Sequence, residues 1–259
     1  CRSCLRALQN GKAVGRDDGI PNEVLKHMPP QLEHLMFAII RLCWRTAYVP
    51  AAWLRSDTLL FLKRSPSDNP GNYRPIAIHK TLLKLYTRVV SQVLSNYAEH
   101  HGLFGHAQEG FRPRRGTREL LQYFTLVLED ARAHKRNLFV VKLDWRQAFN
   151  SLEHSRLYAV MGRMGFPPDA VRAVRSIYEG ATTVVQTPHG PTRAININRG
   201  VIQGDTLSPF LFIVMLDPLL QWLEQGDRGY PLQSVALHAA RACVPPSHTV
   251  LPQEVTLTT

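Results

Sequence analysis

The run from Leu138 to Asp144, LFVVKLD, constrains this chain more than any other segment. It is β-branched and apolar, the pattern of a buried strand, and it ends on a carboxylate. A charge at the end of such a strand is costly unless solvent, a partner or a metal ion takes it up. Two-metal phosphoryl transfer needs a group of this kind, because Mg²⁺ takes carboxylate oxygens and keeps its other positions for substrate phosphates. The residues allow a plainer reading as well. Asp144 precedes Trp145-Arg146-Gln147-Ala148-Phe149 and could cap the helix that follows.

The rest of the chain fits a folded domain. Its 259 residues, 44% hydrophobic, suffice for one large core or two smaller ones, since single cores stop growing near roughly 250–300 residues. The composition excludes disorder, collagen and a disulfide scaffold. The net charge of +11, from 31 Lys+Arg against 20 Asp+Glu, suits a polyanionic partner. An anionic membrane surface or solubility alone would explain the same number. Cys1 and Cys4 form a C-x-x-C with no second pair at zinc-site spacing, so Cys1, Cys4, Cys43 and Cys243 read as free thiols in a reducing compartment. The chain does not open on Met, which we read as the mark of a fragment. Ser208 to Leu223, the most apolar stretch, is broken by Asp217 and Pro218 and falls short of the ~20 apolar residues a membrane span needs.

Helical spacing of apolar residues runs from Glu23 to Arg45 (Leu32, Leu35, Met36, Ile39, Ile40, Leu42), interrupted at Pro29-Pro30. It returns over Thr81 to Tyr97, Thr117 to Arg132, Leu152 to Met164, Asp169 to Tyr178 and Thr206 to Trp222. Asp57 to Leu62 suits a strand, and Ser65 to Gly71 is dense in turn formers. Thr182 to Gln186 and Ala194 to Asn198 read as a hairpin with His189-Gly190 at its tip. In the tail only Thr249 to Thr258 could be a strand, confined by Pro252 to an edge or bulge.

Three further motifs accompany Asp144. Gly200-Val201-Ile202-Gln203-Gly204-Asp205 places two glycines where backbone could approach a ligand, with an amide at Gln203. An ordinary loop with Asp205 or Thr206 as N-cap would read the same way. Asn72-Tyr73-Arg74-Pro75-Ile76 follows the basic pair Lys63-Arg64, and Gln108 to Thr117 carries Arg112, Arg114 and Arg115. Guanidinium groups held beside turns suit bidentate phosphate contacts, although lone basic patches are commonly just solvated.

In this order the blocks RDDGIPNEVLK, NYRPIAI, QEGFRPRRGT, VVKLDWRQAFNSLEH and GVIQGDTLSPFLF resemble the reverse transcriptase domain of non-LTR (LINE-like) retrotransposons, from about Gly15 to Glu224. The resemblance implies an α+β fold of right-hand polymerase type, with fingers and an RRM/ferredoxin-like palm sheet packed by helices, and no thumb. It implies a helical extension of the fingers over 1–55, fingers over 56–137, palm over 138–226 and a degenerate or frameshifted tail over 227–259. The palm sheet would comprise Leu138 to Asp144, the hairpin and the tail strand. RNA template, DNA primer and deoxynucleoside triphosphates are the implied partners, with no membrane and a nuclear, intracellular location.

Roles follow at matching positions. Asp144 would ligate both Mg²⁺ ions, joined by the backbone carbonyl of Trp145. Phe149 would stand at the sugar gate, and Gln203 and Gly204 would line the nucleotide pocket. Lys63, Arg64 and Arg74 would hold the triphosphate, and Arg112 would face template or triphosphate. One departure is severe. The family places an aromatic-Ala-Asp-Asp hairpin after the Thr206 to Trp222 helix, and here the nearest match has Gln253 and Glu254 in place of the two Asp. Asn150, where the family usually has Asp, is a second departure. The resemblance therefore implies an RNA-directed DNA polymerase domain that is a catalytically incomplete remnant, with a non-catalytic nucleic-acid-binding relic as the alternative.

Overall fold

A computed structural model of the chain describes residues 2–15, 17–226 and 229–232. Two short helices, α1 (Arg2–Arg6) and α2 (Asn22–Lys26), come first. Pro30 then occupies the first turn of α3 (Pro30–Thr46), where a missing N–H costs nothing, and Ala47 ends that helix at φ 50°. The break at Pro29-Pro30 is thus a boundary between two helices. α3 buries Met36, Ile40, Cys43 and Trp44, whereas Leu32, Leu35, Ile39 and Leu42 remain exposed. Its apolar arc is wider than the surface it packs on.

β1 (Arg55–Leu62) and β2 (Tyr73–Ile78) form an antiparallel ribbon with Asp57 opposite Ile78 and Leu62 opposite Tyr73. α4 (Thr81–His100) and α5 (Thr117–Ala133) follow. Beyond them come the single turn α6 (Ala148–Ser151), then α7 (His154–Met164), which stops at Gly165 with φ 95°, and α8 (Pro168–Tyr178). β3 (Thr182–Thr187) turns back on itself at Gly190, and its partners are two short pieces, β4 (Gly190–Pro191) and β5 (Ile195–Asn196). α9 (Ser208–Glu224) runs through Pro218 without ending.

The sheet joins these pieces in the order β2-β1-β3, with β4 and β5 both on β3. β1 and β3 are parallel, Arg55 beside Thr182 and Thr58 beside Val185, and the Thr58 and Thr183 hydroxyls lie 2.7 Å apart. The core lies against this sheet and is mainly helical: Leu85 and Val90 of α4, Leu157 and Met161 of α7, Val174 of α8 and Leu211 of α9 are all fully buried. Cys4, Leu5, Leu8 and Leu25 join the same core, so the N-terminal helices share it. The Cys4 thiol is buried against the Arg88 carbonyl, and Cys43 is likewise free and buried.

The fold is therefore mixed α/β with a central sheet, as expected, but two details differ. Leu138 to Asp144 forms no strand: Phe139, Val141 and Leu143 are 89%, 82% and 66% exposed. β-propensity supplies a strand's preference but not the neighbour whose backbone completes the ladder, and no described residue pairs with this run. The 182–198 hairpin accordingly pairs with β1 rather than with this run. The expected tail strand, Gln253, Glu254, Cys1 and Cys243 lie outside the described residues.

Candidate active site

Two chain segments interlock to make the floor of the site. The segment around α6 accepts hydrogen bonds from the glycine-rich loop: Gly200 N–H donates to Leu152 O at 2.6 Å and Val201 N–H to Phe149 O at 2.7 Å. His154 Nε2 lies 2.8 Å from Gly200 O, and a carbonyl only accepts, so Nε2 carries the proton. Arg199 Nε donates to Ser151 O. Gln203 Nε2 reaches Asn150 Oδ1 at 3.3 Å, and Gln203 O accepts from Ala77 N of β2 at 2.9 Å.

The glycines serve this interlock. Gly200 has φ 82°, and a Cβ there would fall 2.9 Å from Asn150 Cα and 3.0 Å from the Phe149 carbonyl oxygen. Gly204 has φ 106°, and its Cβ would meet Ala77 O at 3.0 Å. Both residues let the chain approach itself closely.

Asp205 is buried beneath the loop. Its Oδ1 accepts from Leu207 N at 2.7 Å and its Oδ2 from Thr87 Oγ1 at 2.9 Å. It thus ties the turn that leads into α9, whose N-cap is Leu207 without a side-chain hydrogen bond, so neither Asp205 nor Thr206 is the cap that the plain loop reading expected. Burial pushes its carboxyl above the usual range, opposed in part by the neighbouring His79 and by these hydrogen bonds. His79 is 1% exposed with both ring nitrogens unpartnered, and burial pulls its pKa down, against the pull of Asp205.

Above this floor lies a cleft of about 990 Å³. Lys63 and Arg64 line it from the tip of the β1–β2 ribbon, and Asp144, Trp145, Arg146 and Gln203 line it from the floor. Asp144 is exposed. It does not cap α6, whose N-cap is Gln147 at φ 51° without a side-chain hydrogen bond. Five residues singled out from the sequence (Lys63, Arg64, Asp144, Trp145 and Gln203) therefore share one cavity.

Others lie elsewhere. Arg74 is exposed on β2 between Tyr73 and Pro75, which do line the cleft, so strand alternation points it to the opposite face. Arg112 is buried and its guanidinium is committed: Nε and Nη2 donate to the two Glu99 carboxylate oxygens at 2.8 Å, and Nη1 to the carbonyls of Gly105 and Gln108. This arginine fastens its own loop to the end of α4 rather than facing a ligand. Phe149 packs its ring on Phe212, with centroids 5.2 Å apart and planes 20° apart. Neither Phe149 nor Gly204 is among the residues lining the cleft. Sequence reasoning gave Asn72 no role and noted Asn150 only as a departure from the family, and both line the cleft. Asn72 stood in a quoted motif, and its burial in a run of exposed residues could not be seen before the ribbon was built.

Among the described residues, the acidic donors that line the cleft are few. Asp144 and the Trp145 carbonyl are one carboxylate and one neutral oxygen, and Asp68 lines the same cleft. Among the described residues no group of three or more His, Cys, Asp or Glu side chains gathers where a metal ion could be held.

The reverse transcriptase (RNA-dependent DNA polymerase) family matches residues 62–234, and the chain belongs to it. It is similar to Pol polyproteins of non-LTR retrotransposons. It is 34% identical to that of a type-1 R2 element of Popillia japonica over 174 residues, covering 67% of this chain and 24% of that protein. It is 28% identical to that of the type-2 element R2DM of Drosophila melanogaster over 206 residues, 80% of this chain and 19% of that one. The RNA-directed DNA polymerase of the mobile element jockey, from the same fly, is 28% identical over 215 residues, 82% of this chain and 23% of its own. This chain thus spans about a quarter or less of the length of these relatives. It is the reverse transcriptase domain of a retrotransposon of this kind.

Proposed function

We propose that the cleft is the nucleotide-binding side of this domain and that the domain, as it stands, binds template, primer and deoxynucleoside triphosphate without turning them over. One observation carries the reading: Lys63 and Arg64 line one cavity with Asp144, Trp145 and Gln203, and among the described residues no cluster of three acidic or other metal-ligating side chains joins them. The two basic groups suit phosphate oxygens, and the Gln203 amide, anchored on Asn150, suits a base or sugar edge. Asp144 with the Trp145 carbonyl retains part of a metal-ligand set. Divalent metal is the family's general requirement, and in this reading magnesium is poorly held here.

The family's reaction is attack of a primer 3′-OH on the α-phosphate of the incoming nucleotide, with pyrophosphate leaving. Removing one member of a cooperating catalytic group costs orders of magnitude in rate. The family match also stops at residue 234, short of Gln253 and Glu254, which supports the degenerate tail. In the same reading the β1–β2 ribbon belongs to fingers over 56–137, the floor segments belong to a palm over 138–226, and residues 1–55 extend the fingers.

Primer extension on an RNA template with Mg²⁺ or Mn²⁺ tests this, and no incorporation is expected. Incorporation abolished by Asp144→Ala would overturn the claim of inactivity. Retained binding is read separately from primer–template affinity against salt: log K should fall steeply with log[salt], as counterion release requires. A flat response would remove nucleic acid from the reading.

A further inference from the structure

The tip of the β1–β2 ribbon is exposed from Leu60 to Gly71, and then Asn72 is 3% exposed. A buried amide inside a polar loop needs a reason, since each unmatched polar atom costs free energy. Here the polar groups of Asn72 are used within the tip. Its Nδ2 donates to Pro66 O at 2.8 Å, its backbone N–H to Asn69 O at 3.0 Å, and its carbonyl accepts from Lys63 N at 2.7 Å. Its Oδ1 accepts from Arg64 Nε at 3.0 Å. One residue thus ties the outgoing strand, the loop and the returning strand together.

The last of these bonds has a functional consequence. A guanidinium is planar, so a hydrogen bond at Nε fixes the plane in which its two terminal amino groups point. Without that bond an arginine on an exposed loop would sample many rotamers and lose them on binding a ligand. Arg64 and Asn72 both line the cleft.

We propose that Asn72 is a positioning residue, holding Arg64 in the orientation that receives the phosphates of a nucleoside triphosphate in the cleft. This inference rests on the proposed reading of the cleft as a nucleotide site. Asn72 does not itself need to touch the ligand. Its side chain acts through the plane of Arg64.

The test is equilibrium binding of deoxythymidine triphosphate to the whole chain, by calorimetry at low salt, for wild type and four variants. Arg64→Ala should weaken binding about tenfold, the scale of one charge-assisted contact. Asn72→Ala should weaken it several-fold, and the double variant should bind no more weakly than Arg64→Ala alone, because Asn72 has nothing left to position. Arg64→Lys keeps the charge but has no Nε for Asn72 to hold, and should match Asn72→Ala. This variant leaves the Asn72 side chain in place, so it decides the matter even if Asn72→Ala fails to fold. Full additivity in the double variant, or wild-type affinity in Arg64→Lys, would overturn the inference and leave the cleft reading intact. Wild-type affinity in Arg64→Ala would remove the triphosphate from this cleft altogether, and the inference with it.

Discussion

α4 and α5 read alike as amphipathic helices in the sequence, and the fold treats them in opposite ways. α4 buries residues along its whole length, from Thr81 and Leu83 to Leu94 and Ala98. α5 buries only Asp130 and Ala131, while Leu120, Leu121, Tyr123, Leu126 and Leu128 are exposed. The exposed run Phe139 to Leu143 follows it closely in the chain. A helical period announces that a face is made for packing. It does not say whether the described residues supply the partner, and for α5 they do not. The helical core is complete in itself, and among the described residues the 117–143 stretch is not.

That contrast can be broken by measurement, and the largest expected effect is in the core. Leu85→Ala, at a fully buried position of α4, should cost about 2–5 kcal/mol in denaturant unfolding, transfer and cavity together. A loss under about 1 kcal/mol would mean that the core is loosely packed. Gly200→Ala comes next, because its Cβ meets backbone and its φ is positive. It should cost about 1–3 kcal/mol and loosen the loop carrying Gln203, so lowered melting together with weaker triphosphate binding is expected.

Acid sensitivity is the third test. Burial holds the folded pKa of His79 below its ordinary 6.5. The unfolded chain therefore binds the proton first. Stability from the neutral ring is complete above pH 6.5 and is lost as pH falls toward the depressed folded value, by up to about 1.4 kcal/mol per pH unit. Asp205 runs the other way: its raised pKa favours the folded state at low pH, and that contribution is lost as pH rises through the raised value. His79→Gln should flatten the decline in melting temperature from pH 6.5 to 5, and an unchanged slope would clear His79 of it. The smallest effect belongs to α5. Leu121→Ala, at 62% exposure, should stay within about 0.5 kcal/mol. A loss of 2 kcal/mol or more would show that this face is covered in solution, and the contrast would fall.

Much of the fold was legible. Pro29-Pro30, the turn-rich Ser65 to Gly71 and the helical periods of α4, α7 and α8 all stand close to where the sequence puts them, because local geometry decides them. The cleft was legible at Lys63, Arg64, Asp144, Trp145 and Gln203, since the resemblance fixed their order along the chain. The misreadings share a cause, dependence on distant partners. Leu138 to Asp144 has a strand's composition without a neighbouring strand among the described residues. Arg112 looked like a phosphate ligand because nothing local reveals that Glu99 will meet it. The close approach of Gly204 to Ala77 could not be read either, because Ala77 lies far off in sequence. Arg74 was different: Tyr73 and Pro75 flank it on a strand, so alternation alone would have turned it from the cleft.

The parallel pairing of β1 with β3 also has consequences during synthesis. Ser56 and Thr183 bond although 127 positions separate them. At roughly 5–20 residues per second, a ribosome needs roughly 6–25 s between making one and the other. Throughout that interval β1 offers an unpaired edge, and the ribbon it shares with β2 can be joined by the wrong strand, including one from a neighbouring nascent copy. Yield of correctly folded chain should therefore depend on how thinly ribosomes are spaced on the message.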